Sequence, residues 1–100
     1  AIAGVAGVDM LFLGVGDLSA TSGFLDALDA PEVLPEIRRF EAAAAAAGVP
    51  TGTIYRPGLG ADDLLNDGYK LIAGMTDATL FRAGVLADVA QFAAAKKARG

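Results

Sequence analysis

The chain of 100 residues has no cysteine, no histidine and no tryptophan. Without cysteine there is no disulfide framework and no thiolate metal site. That absence fits a reducing compartment, and the expected location is the cytoplasm. Without histidine, Ser-His-Asp and Cys-His nucleophile systems are excluded within the chain, as is any imidazole base. Basic residues are also scarce: 8 Lys and Arg stand against 12 Asp and Glu, giving a net charge of −4 with no basic cluster. Nucleic acid and anionic membrane surfaces are therefore not expected as partners. No uninterrupted apolar run reaches the roughly 18 residues of a membrane helix. The opening, AIAGVAGVD, lacks the positive start of a signal peptide. It begins without methionine and reads as the tail of a helix, so the expectation is the C-terminal portion of something longer.

What is present is apolar material, 54% of the chain, much of it alanine, which buries little area per residue. Gly7 is placed as a helix-ending glycine. Met10 to Leu13 is a short continuous apolar run between turn residues, the pattern of a strand buried on both faces in a parallel sheet. Gly14 to Ala30 reads as a long connection of small and polar residues, with a possible helical turn at Phe24 to Leu28. Connections of that length without their own structure are often functional.

Pro31 suits a helix start. From there Val33, Ile37, Phe40, Ala44 and Ala47 fall on one helical face, and Gly48 ends the helix. Thr51 to Tyr55 predicts a second strand, Ala61 to Asp67 a short helix closed by Gly68, and Tyr69 to Ala73 a third strand. A last helix follows, with Asp77 as its expected N-cap and Lys96, Lys97 and Arg99 at its C-terminal end.

This alternation implies α/β architecture with parallel strands and right-handed crossovers. It fits a small open sheet. It equally fits three βα units of an eight-unit barrel, which typically needs about 250 residues. In either case ligands bind at the C-terminal ends of the strands. Gly14–Gly23, Tyr55–Gly60 and Gly74–Asp77 would meet there.

Asp17 is the first candidate for chemistry. It follows Gly14 and Gly16, where backbone N–H groups can approach an anion closely. A carboxylate beside such amides suits a hard divalent cation shared with an anionic ligand; the plainer alternative is a turn or helix cap. Gly14-Val15-Gly16 does not continue as a dinucleotide fingerprint, because Ser19 occupies the last glycine position and Asp17 would repel pyrophosphate. No Gly-Lys-Ser or Gly-Lys-Thr loop occurs. Arg56 is either a substrate-carboxylate ligand or a solvated loop arginine, and Ile54 either a pocket wall or ordinary core. Ser19, Thr21 and Ser22 have no base to activate them.

The stretch Ala6 to Gly23 resembles the pattern PGVDxLFIGPxDLSxSxG of the HpcH/HpaI aldolase/citrate lyase family. Pro31-Glu32-Val33, Ala47-Gly48 through Gly52, and Asp67-Gly68-Tyr69 through Asp77 are similar to later family segments in the same order. Two departures are Val15, where the family usually has proline, and the strand exit Tyr55-Arg56-Pro57.

The resemblance implies a (β/α)8 barrel of the phosphoenolpyruvate/pyruvate-binding type. Residues 1–100 would be the C-terminal three βα units of that single domain. It implies that Asp17 ligates a divalent cation: magnesium, manganese or cobalt. Gly16 and Asp17 would bind the substrate carboxylate through their N–H groups, and Ile54 would line the substrate pocket. The implied activity is aldol cleavage or formation of 4-hydroxy-2-oxo acids from a 2-oxo acid, pyruvate, and an aldehyde, in a homo-oligomer. The alternatives are a citrate-lyase-like CoA-ester lyase and a non-catalytic ligand-binding module. The family's remaining catalytic groups lie upstream of these segments, so this chain by itself is expected to be inactive.

Overall fold

The computed structural model describes residues 1–25 and 27–100. It is an α/β structure built on a parallel sheet of three strands, ordered as they occur in the chain. A single 3-10 turn, Ile2–Gly4, leads in. The elements are β1 (Leu11–Leu13), α1 (Val15–Thr21), α2 (Leu34–Ala47), β2 (Thr51–Ile54), α3 (Ala61–Asn66), β3 (Leu71–Ala73) and α4 (Asp77–Ala98). Leu11, Phe12 and Leu13 pair with Thr51, Gly52 and Thr53; Gly52, Thr53 and Ile54 pair with Leu71, Ile72 and Ala73.

Side chains alternate across the sheet. Leu13, Thr53 and Ile72 point to the helix-covered face, where Leu13 packs with Val15, Val33, Ile37, Leu64 and Tyr69 to form the core. The opposite face carries Met10, Phe12 and Leu71, all exposed. The expectation of burial on both faces is thus met on one face only, because the helices cover just that side. Central in this open row is Gly52. An added Cβ would sit 2.9 Å from Phe12 Cδ2 and 3.1 Å from Leu71 Cβ, so the missing side chain lets the two flanking residues close over β2.

α2 begins at Leu34, three residues after the expected start, with Pro35 in its first turn, where the missing N–H is not needed. Pro31 to Val33 forms a turn before it. Val33, Ile37 and Ala44 are buried as the periodicity predicts, Phe40 is half-buried, and Ala47 is exposed. Gly7, Gly48 and Gly68 take the left-handed conformation, with φ of 89°, 67° and 95°, which only glycine adopts cheaply. The N-cap of α4 is Thr76 rather than Asp77: the Thr76 hydroxyl accepts the Thr79 N–H at 3.2 Å. A hydroxyl one residue ahead of the first helical position reaches that donor, whereas Asp77, already helical, accepts only from the Ala78 N–H.

α4 has no buried residue; Leu80, Phe81, Val85, Leu86, Val89 and Phe92 are all exposed. By length and composition alone it could cross a membrane, although Arg82 and Asp88 interrupt its apolar sequence. The Phe24 to Leu28 turn includes Asp26, outside the described residues. Beside it the Ala27 N–H donates to the Phe24 carbonyl at 2.9 Å.

A polar network ties α2 to the segment before β3. Tyr69, 1% exposed, donates its hydroxyl hydrogen to Glu41 Oε1 at 2.8 Å. Arg38 pairs with Glu41 Oε2 at 2.7 Å and approaches Asp67 Oδ2 at 3.4 Å. Burial, then the bond to Glu41, pushes the Tyr69 phenol well above its ordinary range.

Two outcomes follow from this packing. Gly52→Ala should destabilise the protein by about 1–3 kcal/mol through overpacking, read by denaturant unfolding. Tyr69→Phe should cost about 1–2 kcal/mol at neutral pH. Because folding raises the phenol pKa above its unfolded value of about 10, this contribution is complete below that pH and lost above it. The stability gap between wild type and Tyr69→Phe should therefore stay constant from about pH 6 to 9 and shrink above about pH 10.

Candidate active-site rim

β1 stops at Gly14, and α1 starts at the next residue. The stretch expected to be an irregular glycine loop is therefore helical from Val15 to Thr21. Its sequence, VGDLSAT, hides this, since glycine, serine and threonine are weak helix formers. Packing overrides that weakness: Val15 and Ser19, four apart on one face, are both 0% exposed. Inside the helix Ser19 donates its hydroxyl hydrogen to the Gly16 carbonyl at 2.8 Å. Ser19 is thus a buried brace for the first turn, a role that sequence reasoning missed.

Asp17 lies in that first turn, exposed to solvent at the C-terminal end of β1. Its carboxylate turns back over Gly14: a Cβ added there would lie 3.2 Å from Asp17 Oδ2. Gly14 so leaves the carboxylate room to lie over the strand end. The first intrahelical bond bridging this turn runs from the Leu18 N–H to the Gly14 carbonyl at 3.0 Å. The N–H groups of Gly16 and Asp17 precede it and carry no intrahelical bond.

Asp17 enters no ion pair among the described residues. An exposed, unpaired oxygen donor with space beside it fits one ligand position of a hard cation. Among the described residues no three metal-ligating side chains gather at any point.

Ile54 ends β2 and is half-buried. It lines a cleft of about 310 Å³ with Leu28, Tyr55, Gly74, Met75, Thr76 and Thr79. The exits of β2 and β3 therefore meet, as expected, with Gly74 beside the Tyr55 ring. Gly16 and Asp17 do not line this cleft; they stand at the same rim of the sheet, above β1. Arg56, expected on a solvated loop or at a ligand, is buried at 7% exposure.

The HpcH/HpaI aldolase/citrate lyase sequence profile matches residues 1–83. The chain belongs to this family. It is 38% identical over 90 residues to a 5-keto-4-deoxy-D-glucarate aldolase from Salmonella arizonae, covering 88% of this chain and 35% of that protein. It is 36% identical over 84 residues to a 4-hydroxy-2-oxovalerate aldolase from Novosphingobium aromaticivorans, covering 84% of this chain and 32% of that one. A crystal structure of a HpcH/HpaI family protein from Burkholderia cenocepacia superposes with a TM-score of 0.77 at 31% identity, covering 91% of this chain and 35% of that one. The chain thus spans about a third of the length of these relatives. The family resemblance carried by the Ala6–Gly23 stretch is confirmed, and with it an aldolase or lyase kinship.

Ser19→Ala should loosen the first turn of α1 at a cost of about 1 kcal/mol. The expected signature is faster hydrogen exchange at the amides of Leu18 to Ser22 in the variant, with exchange in α2 unchanged.

Proposed function

We propose that this chain forms the pyruvate-facing rim of a divalent-metal-dependent carbon–carbon lyase that cleaves or forms 4-hydroxy-2-oxo acids. The observation that carries the reading is the placement of Asp17: exposed, unpaired, and in the first helical turn beyond a strand end. Relatives named as aldolases for a keto-deoxy sugar acid and for a hydroxy-oxo acid support the same reaction class. In this reading the three strands are the last three of a (β/α)8 barrel, whose functional groups sit at the C-terminal ends of the strands. The open row of Met10, Phe12 and Leu71 would then face the barrel interior.

Asp17 would hold one coordination position of magnesium, manganese or cobalt. The cation, when bound, supplies Lewis-acid stabilisation of the enolate that forms as the carbon–carbon bond breaks. The N–H groups of Gly16 and Asp17, at the positive end of α1, would orient the carboxylate of the 2-oxo acid. Ser19 would keep those N–H groups aligned through its bond to the Gly16 carbonyl. Ile54, with Gly74 and Tyr55, would wall the space beside the reacting carbons and exclude water. The exposed apolar residues of α4 favour a homo-oligomer, in which a neighbouring subunit covers them. A cytoplasmic setting accords with the absence of cysteine.

The decisive experiment is Asp17→Asn in the full-length protein. Manganese affinity by calorimetry should fall by about ten-fold or more, and retro-aldol release of pyruvate by about a hundred-fold or more. Unchanged manganese affinity in a folded Asp17→Asn protein would remove the ligand role and, with it, this reading of the site.

A further inference from the structure

Among the described residues three polar or charged side chains are buried: Ser19, Thr53 and Arg56. Arg56 leaves Nε and Nη2 without a hydrogen-bond partner among those residues. The other two carry hydroxyls, and both donate to backbone carbonyls of the segment Leu13–Gly16. Ser19 donates to the Gly16 carbonyl at 2.8 Å, and Thr53 to the Leu13 carbonyl at 3.4 Å. These carbonyls bracket the junction at which β1 ends and α1 begins. Both buried hydroxyls thus act on the turn that carries Asp17.

Thr53 is the less expected of the two. It is 0% exposed in β2, on the helix-covered face of the sheet. Valine has nearly the same shape, a strong strand preference and no polar atom to bury. The Thr53 contact is longer than an ordinary hydroxyl bond of about 2.5–3.0 Å, so it offsets little of the cost of burying the oxygen. The hydroxyl therefore contributes little to stability, and its effect lies in what it touches.

The Leu13 carbonyl shares one rigid peptide plane with the Gly14 N–H. Gly14 follows with φ −83° and ψ 87°, neither helical nor extended, and without a Cβ it has no side chain to hold that geometry. Restraint comes from its neighbours. On the C-terminal side the Leu18 N–H donates to the Gly14 carbonyl at 3.0 Å. On the N-terminal side Thr53 holds the Leu13 carbonyl. The Asp17 carboxylate lies over Gly14, where an added Cβ would stand 3.2 Å from Asp17 Oδ2. Turning the Leu13–Gly14 plane would therefore move this carboxylate and the N–H groups of Gly16 and Asp17 together.

We propose that Thr53 is a positioning residue for the Asp17 site: its hydroxyl, reaching across from β2, holds the Leu13–Gly14 peptide and so sets where Asp17 and the first N–H groups of α1 stand. The chemistry of the site rests on the aldolase reading above; the hold on the turn rests on Thr53 itself.

The test uses the full-length protein with Thr53→Val, which removes the hydroxyl and keeps the shape, and Thr53→Ser, which keeps the hydroxyl and removes a buried methyl. Each is measured by denaturant unfolding, manganese calorimetry, pyruvate release and hydrogen exchange at the Leu18 amide. Thr53→Val should unfold at the wild-type midpoint or above it, yet lose about ten-fold in manganese affinity and in kcat, with faster exchange at Leu18. Thr53→Ser should unfold earlier, since it loses a buried methyl, but keep wild-type affinity, kcat and exchange. Function and stability would then rank the two variants in opposite orders, which a purely structural side chain does not produce. The proposal is overturned if Thr53→Val keeps wild-type affinity and turnover, if it fails to fold, or if activity follows stability across the pair. Should Thr53→Ser not fold, wild type against Thr53→Val decides. If wild type neither binds manganese nor releases pyruvate, the aldolase reading fails; Leu18 exchange then decides alone, and equal rates in wild type and Thr53→Val overturn the hold on the turn.

Discussion

Everything at the rim depends on the middle strand, Thr51–Ile54. Among the described residues it is the only strand hydrogen-bonded on both sides, and three of its four residues have separate structural tasks. Gly52 lets Phe12 and Leu71 close over the open face. Thr53 is 0% exposed, and its hydroxyl reaches the Leu13 carbonyl at 3.4 Å. That contact grips the last residue of β1, immediately before the chain breaks at Gly14 and turns into α1. Ile54 then delivers the chain to the cleft shared with Gly74. The position of Asp17 is thus set partly by a strand nearly forty residues downstream. A disturbance at β2 should be felt at the carboxylate before it is felt along α4, which has no buried residue.

The strands and their order were legible because the signals are local and strong. Glycines at 7, 48 and 68 mark chain reversals that need positive φ, and β-branched or apolar runs fall between them. α1 was not legible. A seven-residue helix with three weak formers and no side-chain cap has little intrinsic stability, and it exists because Val15 and Ser19 are buried against the core. Such tertiary support leaves no periodic trace in so short a segment. The start of α2 was misplaced for a related reason: both Pro31 and Pro35 suit a first turn, and only packing chooses between them.

At the site, the DLS-containing motif singled out Asp17 and Gly16, and the structure sets both at the strand end where ligands bind in such sheets. Ile54 was readable as a strand residue just inside the expected end at Tyr55, and as either pocket wall or core; its cleft companions Leu28 and Gly74 come from distant segments. Arg56 was the residue least open to inspection. Loop arginines are ordinarily solvated, and nothing in Tyr55-Arg56-Pro57 announces that the guanidinium is enclosed by residues from α2 and its approach.

The charged groups divide along the sheet axis in a way that separates stability from chemistry. Just before β3, and across to α2, Tyr69, Glu41, Arg38 and Asp67 satisfy one another. A network of this kind adds to stability only when its members are mutually bonded, and here they are. At the strand exits the opposite holds. Asp17 has no cation beside it among the described residues, and Arg56 has no anion. Paired in place, either would be an ordinary structural ion pair. Asp17 stands above β1 and Arg56 beyond β2, and no ion pair among the described residues joins them. Keeping Arg56 enclosed and unpaired costs stability that the core and the Tyr69 network must offset. The paired groups thus serve the fold, while Asp17 at the strand exit is the group left for the chemistry proposed above.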